Sequence, residues 1–427
     1  MTNGRQWTVM VYLAGDNNLD AAGLADLREM KQVGSTGEVS VVAQFDRAGS
    51  TLTTKRYFLR KGTSLQEDAV QDLGETNMGD PDILTSFLHW GTNTYPAARY
   101  LLVLWNHGAG WDDTNIYRLA RHDLRLGVTR RGAELDAPAR GRVGTISFSH
   151  MRALGQRRFH RALFRSTVER AVRTRAIAFD DGARDFLDNG ELKRVLSGFR
   201  QASGRKLDVL GMDACLMSMV EVGYQVRGSV GYTVGSEELE PGEGWPYADI
   251  LHDLTRRPRL TADAVSKTIV ARYAASYGRG AGVTQSAFDL AKAEALKDAI
   301  SRLARALSRG LSDATVRGAI IQARAQVQQY DDPPQYVDLG DLCQLIRAGT
   351  SKPGLVTPCR AVEEALAAGG FVVASAFRGN AVAHSTGASI YFPTTRLSPL
   401  YRRLDFAKKS AWNEFLTRYL TRLRRRG

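Results

Sequence analysis

The sequence predicts an α/β fold in which a mostly parallel central sheet carries helices on both faces. Continuous apolar segments at 7–14, 100–105 and 207–212 are typical of strands that are buried on both faces of a sheet. Segments with helical periodicity, such as 19–33 and 81–90, separate these strands. This alternation indicates a parallel sheet whose strands are connected by helices.

The N-terminal part follows this alternation from its first strand. Apolar segments predict buried strands, and a period of about 3.6 residues predicts the helices. The polar segment from Asp16 to Asn18 is expected to form a turn. The elements expected in this part are strands 7–14, 39–45 and 100–105, helices 19–33 and 81–90, and an edge strand or hairpin at 53–59.

The C-terminal part resumes the pattern at residue 176. Strand 207–212 is expected to turn through Cys215 directly into an apolar helix, and a loop rich in Gly, Pro and Glu is expected at 237–247. Two amphipathic helices are expected within 290–330, with a break near Gly310. The other elements expected are helices 189–199, 261–277, 338–348 and 411–424, and strands 231–235, 285–289, 371–376 and 388–392.

The segment between these two parts has a different composition. Residues 115–178 contain fifteen arginines, no lysine and four acidic residues, so most of the chain's net charge of +13 lies in this insert. A basic charge that is confined to one segment argues against nucleic-acid binding by the fold as a whole. The expected organisation is an N-terminal part at 1–114, the Arg-rich insert at 115–178, a part carrying Cys215 at 179–290, and a C-terminal helical region at 291–427 that completes the fold.

Overall composition indicates an ordinary soluble globular protein. The 427 residues are 43% hydrophobic and 24% charged. No apolar segment approaches the roughly 18 residues of a membrane-spanning helix, and the N-terminus lacks the pattern of a secretory signal. A cytoplasmic location without a membrane partner is therefore expected. The three cysteines form no C-x-x-C pair, which argues against a disulfide framework or a structural zinc site.

His107 and Cys215 each follow a predicted buried strand. Because the carboxyl ends of parallel strands meet at one edge of a sheet, the two side chains are expected to share a crevice. A thiolate and an imidazole are sufficient for acyl transfer, and the expected helix start at Cys215 would lower the pKa of the thiol. Backbone N–H groups of Gly108 and Cys215 could stabilise an oxyanion. The alternative is that both side chains are structural.

The other two cysteines are weaker candidates for a nucleophile. Cys343 lies within an apolar helical segment and is expected to belong to the core. Cys359 follows Pro358 near an expected helix start, so it is the rival nucleophile, although no strand leads into it.

Six blocks of the sequence are distributed over nearly all of the chain outside 115–175: TVMVYLAGDNNLD, LLVLWNHGAGW, DVLGMDACLMSMVEVGY, GSEELEPGEGWPY, YVDLGDLCQL and ASIYFP. They resemble the clostripain family of cysteine peptidases, which belongs to the caspase-like clan. The resemblance implies a caspase-like αβα sandwich, a dyad of His107 and Cys215 with the oxyanion hole already described, and cleavage after basic residues, Arg above Lys. No cofactor is expected to be required for the chemistry itself.

Asp213 matches the position that recognises the P1 residue in this family. A carboxylate at the base of a pocket pairs with guanidinium by charge and by geometry. The alternative is that Asp213 only caps the helix that is expected to begin at Cys215. The acidic loop after the next strand could line the same S1 pocket or could be solvated, and its acids are Glu237, Glu238, Glu240 and Glu243.

The resemblance also implies synthesis as a single chain that is cut between the His and Cys blocks. An Arg-rich, irregular insert near an Arg-specific site suits self-cleavage. Calcium is a further suggestion of the family, although the acids of this chain show no EF-hand spacing. The protein is expected to be a monomer or a dimer. The candidate cleavage sites are Arg130, Arg131, Arg140, Arg142, Arg157, Arg158, Arg173 and Arg175.

Two alternatives remain open from the sequence. The insert at 118–175 could bind a polyanion or nucleic acid, in which case binding would weaken steeply with salt. The chain could also be an inactive scaffold with a caspase-like fold. The joint presence of His107, Gly108, Asp213 and Cys215 argues against the scaffold.

Overall fold

Strand β1 (Trp7–Gly15) lies inside the main sheet because nearly all of its side chains are buried. It pairs in parallel with β2 (Val39–Arg47) on one side and with β5 (Arg99–Trp105) on the other. The computed structural model describes residues 4–16, 19–48, 52–106, 189–330, 335–367 and 369–424, and every structural statement below concerns these residues.

The main sheet has nine strands in the order β11-β8-β7-β6-β5-β1-β2-β3-β4. The five central strands, from β7 to β2, are parallel, whereas β3 and β8 run against them. The expected mostly parallel sheet is therefore confirmed. The remaining strands of this sheet are β3 (Lys55–Phe58), β4 (Ala69–Asp72), β6 (Leu207–Asp213), β7 (Val230–Gly235), β8 (Val283–Asp289) and β11 (Val372–Arg378).

Helices cover both faces of this sheet, so the sandwich architecture is confirmed. Alternate residues of the central strands point to opposite faces, and each face has its own apolar cluster. Val9 and Val209 belong to one cluster, and Met10 and Leu210 belong to the other. The helices are α1 (Asp20–Val33), α2 (Leu65–Asp68), α3 (Pro81–Thr94), α4 (Asn189–Ser203), α5 (Val220–Val226), α6 (Tyr247–Arg256), α7 (Ala262–Ser276), α8 (Ala293–Gly310), α9 (Ala314–Gln326), α10 (Leu339–Gly349), α11 (Pro353–Leu366), α12 (Asp405–Lys409) and α13 (Trp412–Arg424).

The C-terminal region contributes strands as well as helices. Strand β11 pairs with β8 at the edge of the main sheet. A separate three-stranded antiparallel sheet consists of β9 (Gln329–Tyr330), β10 (Tyr336–Asp338) and β12 (Ser389–Tyr391). The expected strands 371–376 and 388–392 correspond to β11 and β12, whereas β9 and β10 were not predicted.

Four helices were not among the predicted elements: the short α2 and α12, helix α6, and α11, for which only a start near Cys359 was expected. Helix α6 begins in the acidic loop, and its buried residues Tyr247, Ile250, Leu251 and Leu254 have helical spacing. Helix α11 begins at Pro353 and contains a second proline. Prolines near α6 and α11 suggested loops at these positions. A proline is nevertheless compatible with the first turn of a helix.

Glu221 joins α5 to the small sheet and is completely buried. Its Oε1 accepts hydrogen bonds from the Tyr391 backbone N–H and from the Tyr401 hydroxyl, both at 3.0 Å. Its Oε2 has no hydrogen-bond partner among the described residues. Burial raises the pKa of Glu221 to about 7.

Replacement of Glu221 by Gln should therefore change how stability depends on pH. Because the pKa of Glu221 is higher in the folded state than in the unfolded state, its stabilising contribution is present below about pH 4.5 and is lost as the pH rises through about 7. The free energy of unfolding of Glu221→Gln relative to wild type should rise by on the order of 2–3 kcal/mol between pH 5 and pH 8. Denaturant titration at both pH values measures it, and the same difference at both would contradict the prediction.

Candidate active site

Cys215 lies two residues beyond the carboxyl end of β6 and is completely buried. Helix α5 begins only at Val220, so the expected helix start at Cys215 was wrong. The expected effect of a helix N-terminus on this thiol therefore finds no support in the structure. The sulfur instead accepts a hydrogen bond from the backbone N–H of Glu240 at 3.1 Å. A donor to the sulfur favours the thiolate.

A tight backbone turn positions the sulfur. Leu216 adopts a φ of 63°, which is unusual for a residue other than glycine. Its N–H donates to the Glu238 carbonyl at 3.3 Å, and the Ser218 N–H donates to the Ser236 carbonyl at 2.8 Å. The segment after Cys215 therefore pairs with the acidic loop and does not form a helix, which is why α5 starts late.

Asp213 is completely buried at the end of β6. Its Oδ2 accepts a hydrogen bond from the Tyr247 hydroxyl at 2.9 Å and a longer one from the Trp245 backbone N–H at 3.4 Å. Because no helix begins at Cys215, the alternative that Asp213 caps such a helix is wrong. Its role in S1 stays a prediction.

The acids of the loop after β7 lie in different environments. Glu237 is buried against Asp338 and Tyr330 on the far side of the sheet from the Tyr247 partner of Asp213. Burial, followed by the negative charge of Asp338, raises the pKa of Glu237 well above its usual range. The structure thus does not bring Glu237 to Asp213.

The other three acids of this loop differ in exposure. Glu238 is half-buried, and its carboxylate accepts a hydrogen bond from the next backbone N–H, that of Leu239, at 2.8 Å. Glu240 is only 2% exposed, whereas Glu243 is exposed. An S1 role for Glu238 and Glu243 stays a prediction. Glu240 is the residue of this loop whose backbone N–H bonds to the Cys215 sulfur.

The second half of the expected dyad lies outside the described residues. Strand β5 ends at Trp105, which is directly opposite Asp213 in the sheet. His107 and Gly108 follow shortly after this point in the sequence, and their roles stay predictions. The insert and its candidate cleavage sites also lie outside the described residues.

The remaining cysteines form a buried pair in the core. Cys343 lies within α10, as expected, and is completely buried. Cys359 is also completely buried, and it lies inside α11 and not near its start, because Pro358 is already within the helix. Contact with Cys359, followed by burial, raises the pKa of the Cys343 thiol well above its usual range. Neither thiol is placed to act as a nucleophile.

Three carboxylates at another strand end could hold a cation. Oxygen atoms of Asp16, Asp46 and Glu75 lie within 4.8 Å of one another. Asp46 is buried and accepts a hydrogen bond from the Thr54 hydroxyl at 2.7 Å, whereas Glu75 is exposed. The sequence reasoning missed Asp46 and Glu75, although Asp46 stands at the carboxyl end of β2, which is the signal that identified Cys215.

The described helices give no sign of a membrane span, because none of them is long and apolar enough to cross a bilayer.

Comparison with known proteins gives a consistent result. A model of the clostripain family (peptidase C11) matches residues 11–122 and 164–419. Clostripain from Hathewaya histolytica is 24% identical over 402 residues, which cover 79% of this chain and 65% of clostripain. The chain thus spans about two thirds of the length of that curated relative.

Solved structures of this family share the fold. A secreted C11 cysteine protease from Bacteroides thetaiotaomicron, solved with an irreversible peptide inhibitor, is 19% identical with a TM-score of 0.61, and the match covers 96% of this chain and 99% of that chain. An inactive zymogen C11 protease from Parabacteroides distasonis is 18% identical with a TM-score of 0.62, at the same coverage. Because one of these relatives is described as secreted, the expected cytoplasmic location finds no support.

The family match extends over most of the chain, and the structure supplies the fold and the buried cysteine at a strand end. The chain belongs to the clostripain family.

Proposed function

We propose that the protein is a cysteine endopeptidase that cleaves after basic residues, Arg above Lys. The observation that carries the proposal is the buried carboxylate of Asp213, two residues before a buried cysteine at the same strand end. A buried carboxylate is costly unless a cation or donors compensate it. The guanidinium of a P1 arginine would supply such a cation and fix its orientation.

The chemistry would proceed through a thioester. The Cys215 thiolate attacks the carbonyl carbon of the P1 residue, and a C–S bond forms. The C–N bond then breaks, and His107 gives a proton to the leaving amine. Water attacks the thioester while His107 accepts its proton, the C–S bond breaks, and the acid product leaves, which restores the thiolate and the protonated His107. The backbone N–H groups of Gly108 and Cys215 would stabilise the oxyanion in both steps.

Activation by self-cleavage is the second part of the proposal. Cys215 is completely buried, and the loop that bonds to its sulfur would have to move before a substrate could reach it. One similar structure is described as an inactive zymogen, which supports an inactive single-chain form here. The Arg-rich insert offers cleavage sites that match the proposed P1 preference.

Replacement of Cys215 by Ala should abolish hydrolysis of fluorogenic peptides with Arg at P1. Loss of the nucleophile is expected to reduce kcat/KM at least 10³-fold, because the other two thiols, Cys343 and Cys359, are buried against each other in the core. Wild type should prefer Arg over Lys and should not cleave after Asp. Cys359→Ala is the matched control and should keep its activity. Equal turnover by Cys215→Ala would exclude this nucleophile, and no turnover by any form would favour polyanion binding by the insert.

Self-cleavage should be visible in intact mass. Wild type is expected to give two fragments that result from a cut within residues 115–178, whereas Cys215→Ala should remain a single chain. Mixing a trace of active wild type with Cys215→Ala separates cutting within one molecule from cutting between molecules. Identical fragments in wild type and in Cys215→Ala that was purified alone would show that another protease makes the cut.

Calcium binding is proposed at Asp16, Asp46 and Glu75, since carboxylate oxygens are the ligands that calcium prefers. Calorimetric titration with CaCl₂ should show one site in wild type, and removal of the ion with a chelator should lower Tm. Asp46→Asn should weaken binding at least 10-fold, while Asp72→Asn, an exposed acid outside the cluster, should not. Equal binding by both variants would exclude this site.

A further inference from the structure

Two buried polar side chains near the candidate site lack hydrogen-bond partners. The hydroxyl of Tyr273 and both amide atoms of Gln285 have none among the described residues, although Tyr273 is completely buried and Gln285 is 1% exposed. Burial of an unsatisfied polar group costs stability. Phe and Leu would fill the same space without this cost, so the two polar groups point to a ligand.

Both side chains face the layer that contains Asp213. Gln285 lies between Val283 and Ala287 on β8, and the alternation of the strand directs all three to the same face. The Tyr247 hydroxyl donates a hydrogen bond to Asp213, and Tyr247 belongs to the apolar cluster of this face. Strand β7 separates β6 from β8. The backbones of β6, which carries Asp213, and of β8, which carries Gln285, are therefore about 10 Å apart across the sheet.

Tyr273 lies on helix α7 and belongs to the apolar cluster of the same face of the sheet. Its ring packs on Tyr277 with centroids 4.9 Å apart, and the Tyr277 hydroxyl donates to the Gly244 carbonyl of the acidic loop at 2.8 Å. Burial raises the pKa of Tyr273 well above its usual range, and the neighbouring Glu240, Tyr277 and Asp213 raise it further, in that order. The ring contact with Tyr277 therefore places Tyr273 beside the acidic loop.

The ligand that suits this set of polar side chains is a guanidinium group. Carboxylate oxygens of Asp213 and Glu240, the Gln285 amide oxygen and the Tyr273 oxygen are all acceptors. A guanidinium carries five N–H donors in one plane and can reach acceptors on several sides, whereas an ammonium group has three donors at a single point. The unsatisfied indole N–H of Trp245 is a donor and is not assigned to this ligand.

We propose that Tyr273 and Gln285 form the wall of the S1 pocket opposite Asp213 and select the guanidinium of a P1 arginine over the ammonium of lysine. This inference rests on the proposed peptidase function. It assigns specificity to two neutral residues that lie in none of the sequence blocks of the resemblance. Both residues contact the substrate only at P1, so they govern the choice of side chain and take no part in the chemistry at the thiol.

Tyr273→Phe and Gln285→Leu should each lower kcat/KM for P1 Arg peptides about 10-fold or more, because each leaves N–H groups of the guanidinium without an acceptor. kcat/KM for P1 Lys should change less than about 3-fold, so the ratio of Arg to Lys falls. Tm should stay the same or rise, because an unsatisfied buried group is removed.

Tyr224→Phe is the matched control. Tyr224 is a buried tyrosine of helix α5 whose hydroxyl bonds to Glu294 at 3.0 Å, on the other face of the sheet. Its loss should lower Tm and leave the Arg to Lys ratio unchanged, which is the reverse of the pattern expected for Tyr273→Phe. A merely structural role of Tyr273 would make the two variants behave alike.

The outcomes separate this inference from the proposed function. Arg-selective turnover that depends on Cys215, with an unchanged ratio in both Tyr273→Phe and Gln285→Leu, would overturn the inference alone. Absence of turnover in wild type would count against the peptidase. The pocket is then tested in Cys215→Ala by calorimetry with butylguanidine and pentylamine. Preferential binding of butylguanidine that weakens about 10-fold in Tyr273→Phe supports the pocket, while equal binding of the two, or no binding, overturns it.

Discussion

The hydrogen bond from the Glu240 backbone N–H to the Cys215 sulfur ties the candidate nucleophile to the loop that follows β7. That loop is in turn attached to the sheet, because the Thr284 hydroxyl accepts the N–H groups of both Glu237 and Glu238 at about the same distance, 2.9 and 3.0 Å. The sulfur, the acidic loop and the end of β8 therefore form one connected unit. Movement of the loop changes access to the thiol and its hydrogen bonding together.

Burial of carboxylates is the second constraint on this region, and the structure meets it in different ways. Asp213 accepts hydrogen bonds from Tyr247 and Trp245. Glu237 faces Asp338, which accepts hydrogen bonds from the Asp341 N–H and from the backbone and hydroxyl of Thr386. Asp338 is thereby the better site for the negative charge, and the raised pKa of Glu237 favours its protonated form.

These two solutions have different consequences for function. The carboxyl pair of Glu237 and Asp338 lies beside the small antiparallel sheet, on the other face of the main sheet from Asp213. Asp213 lies on the opposite face, the same face to which Tyr273 and Gln285 contribute polar atoms that have no hydrogen-bond partner among the described residues. The alternation of side chains along the strands separates the structural acids from those available to a substrate.

Local periodicity and short motifs were sufficient to predict the class of fold, the positions of the strand ends and the family. Apolar segments specified β1, β5 and β6, and Cys215 was placed at the end of β6 on that basis. The expected helix at Cys215 failed since its backbone groups bond to the acidic loop, whose residues are distant in sequence. No local pattern records such a partner.

Which polar residues meet at the site depends on how the elements pack, and no sequence pattern predicted it. Glu237 and Asp213 are both strand-end acids, yet they face opposite sides of the sheet, and Cys359 proved to be buried against Cys343. Tyr273 and Gln285 come from a helix and an antiparallel strand with no motif of their own. Their importance depends on what surrounds them, since a buried hydroxyl or amide becomes notable only when the packed chain supplies no partner for it.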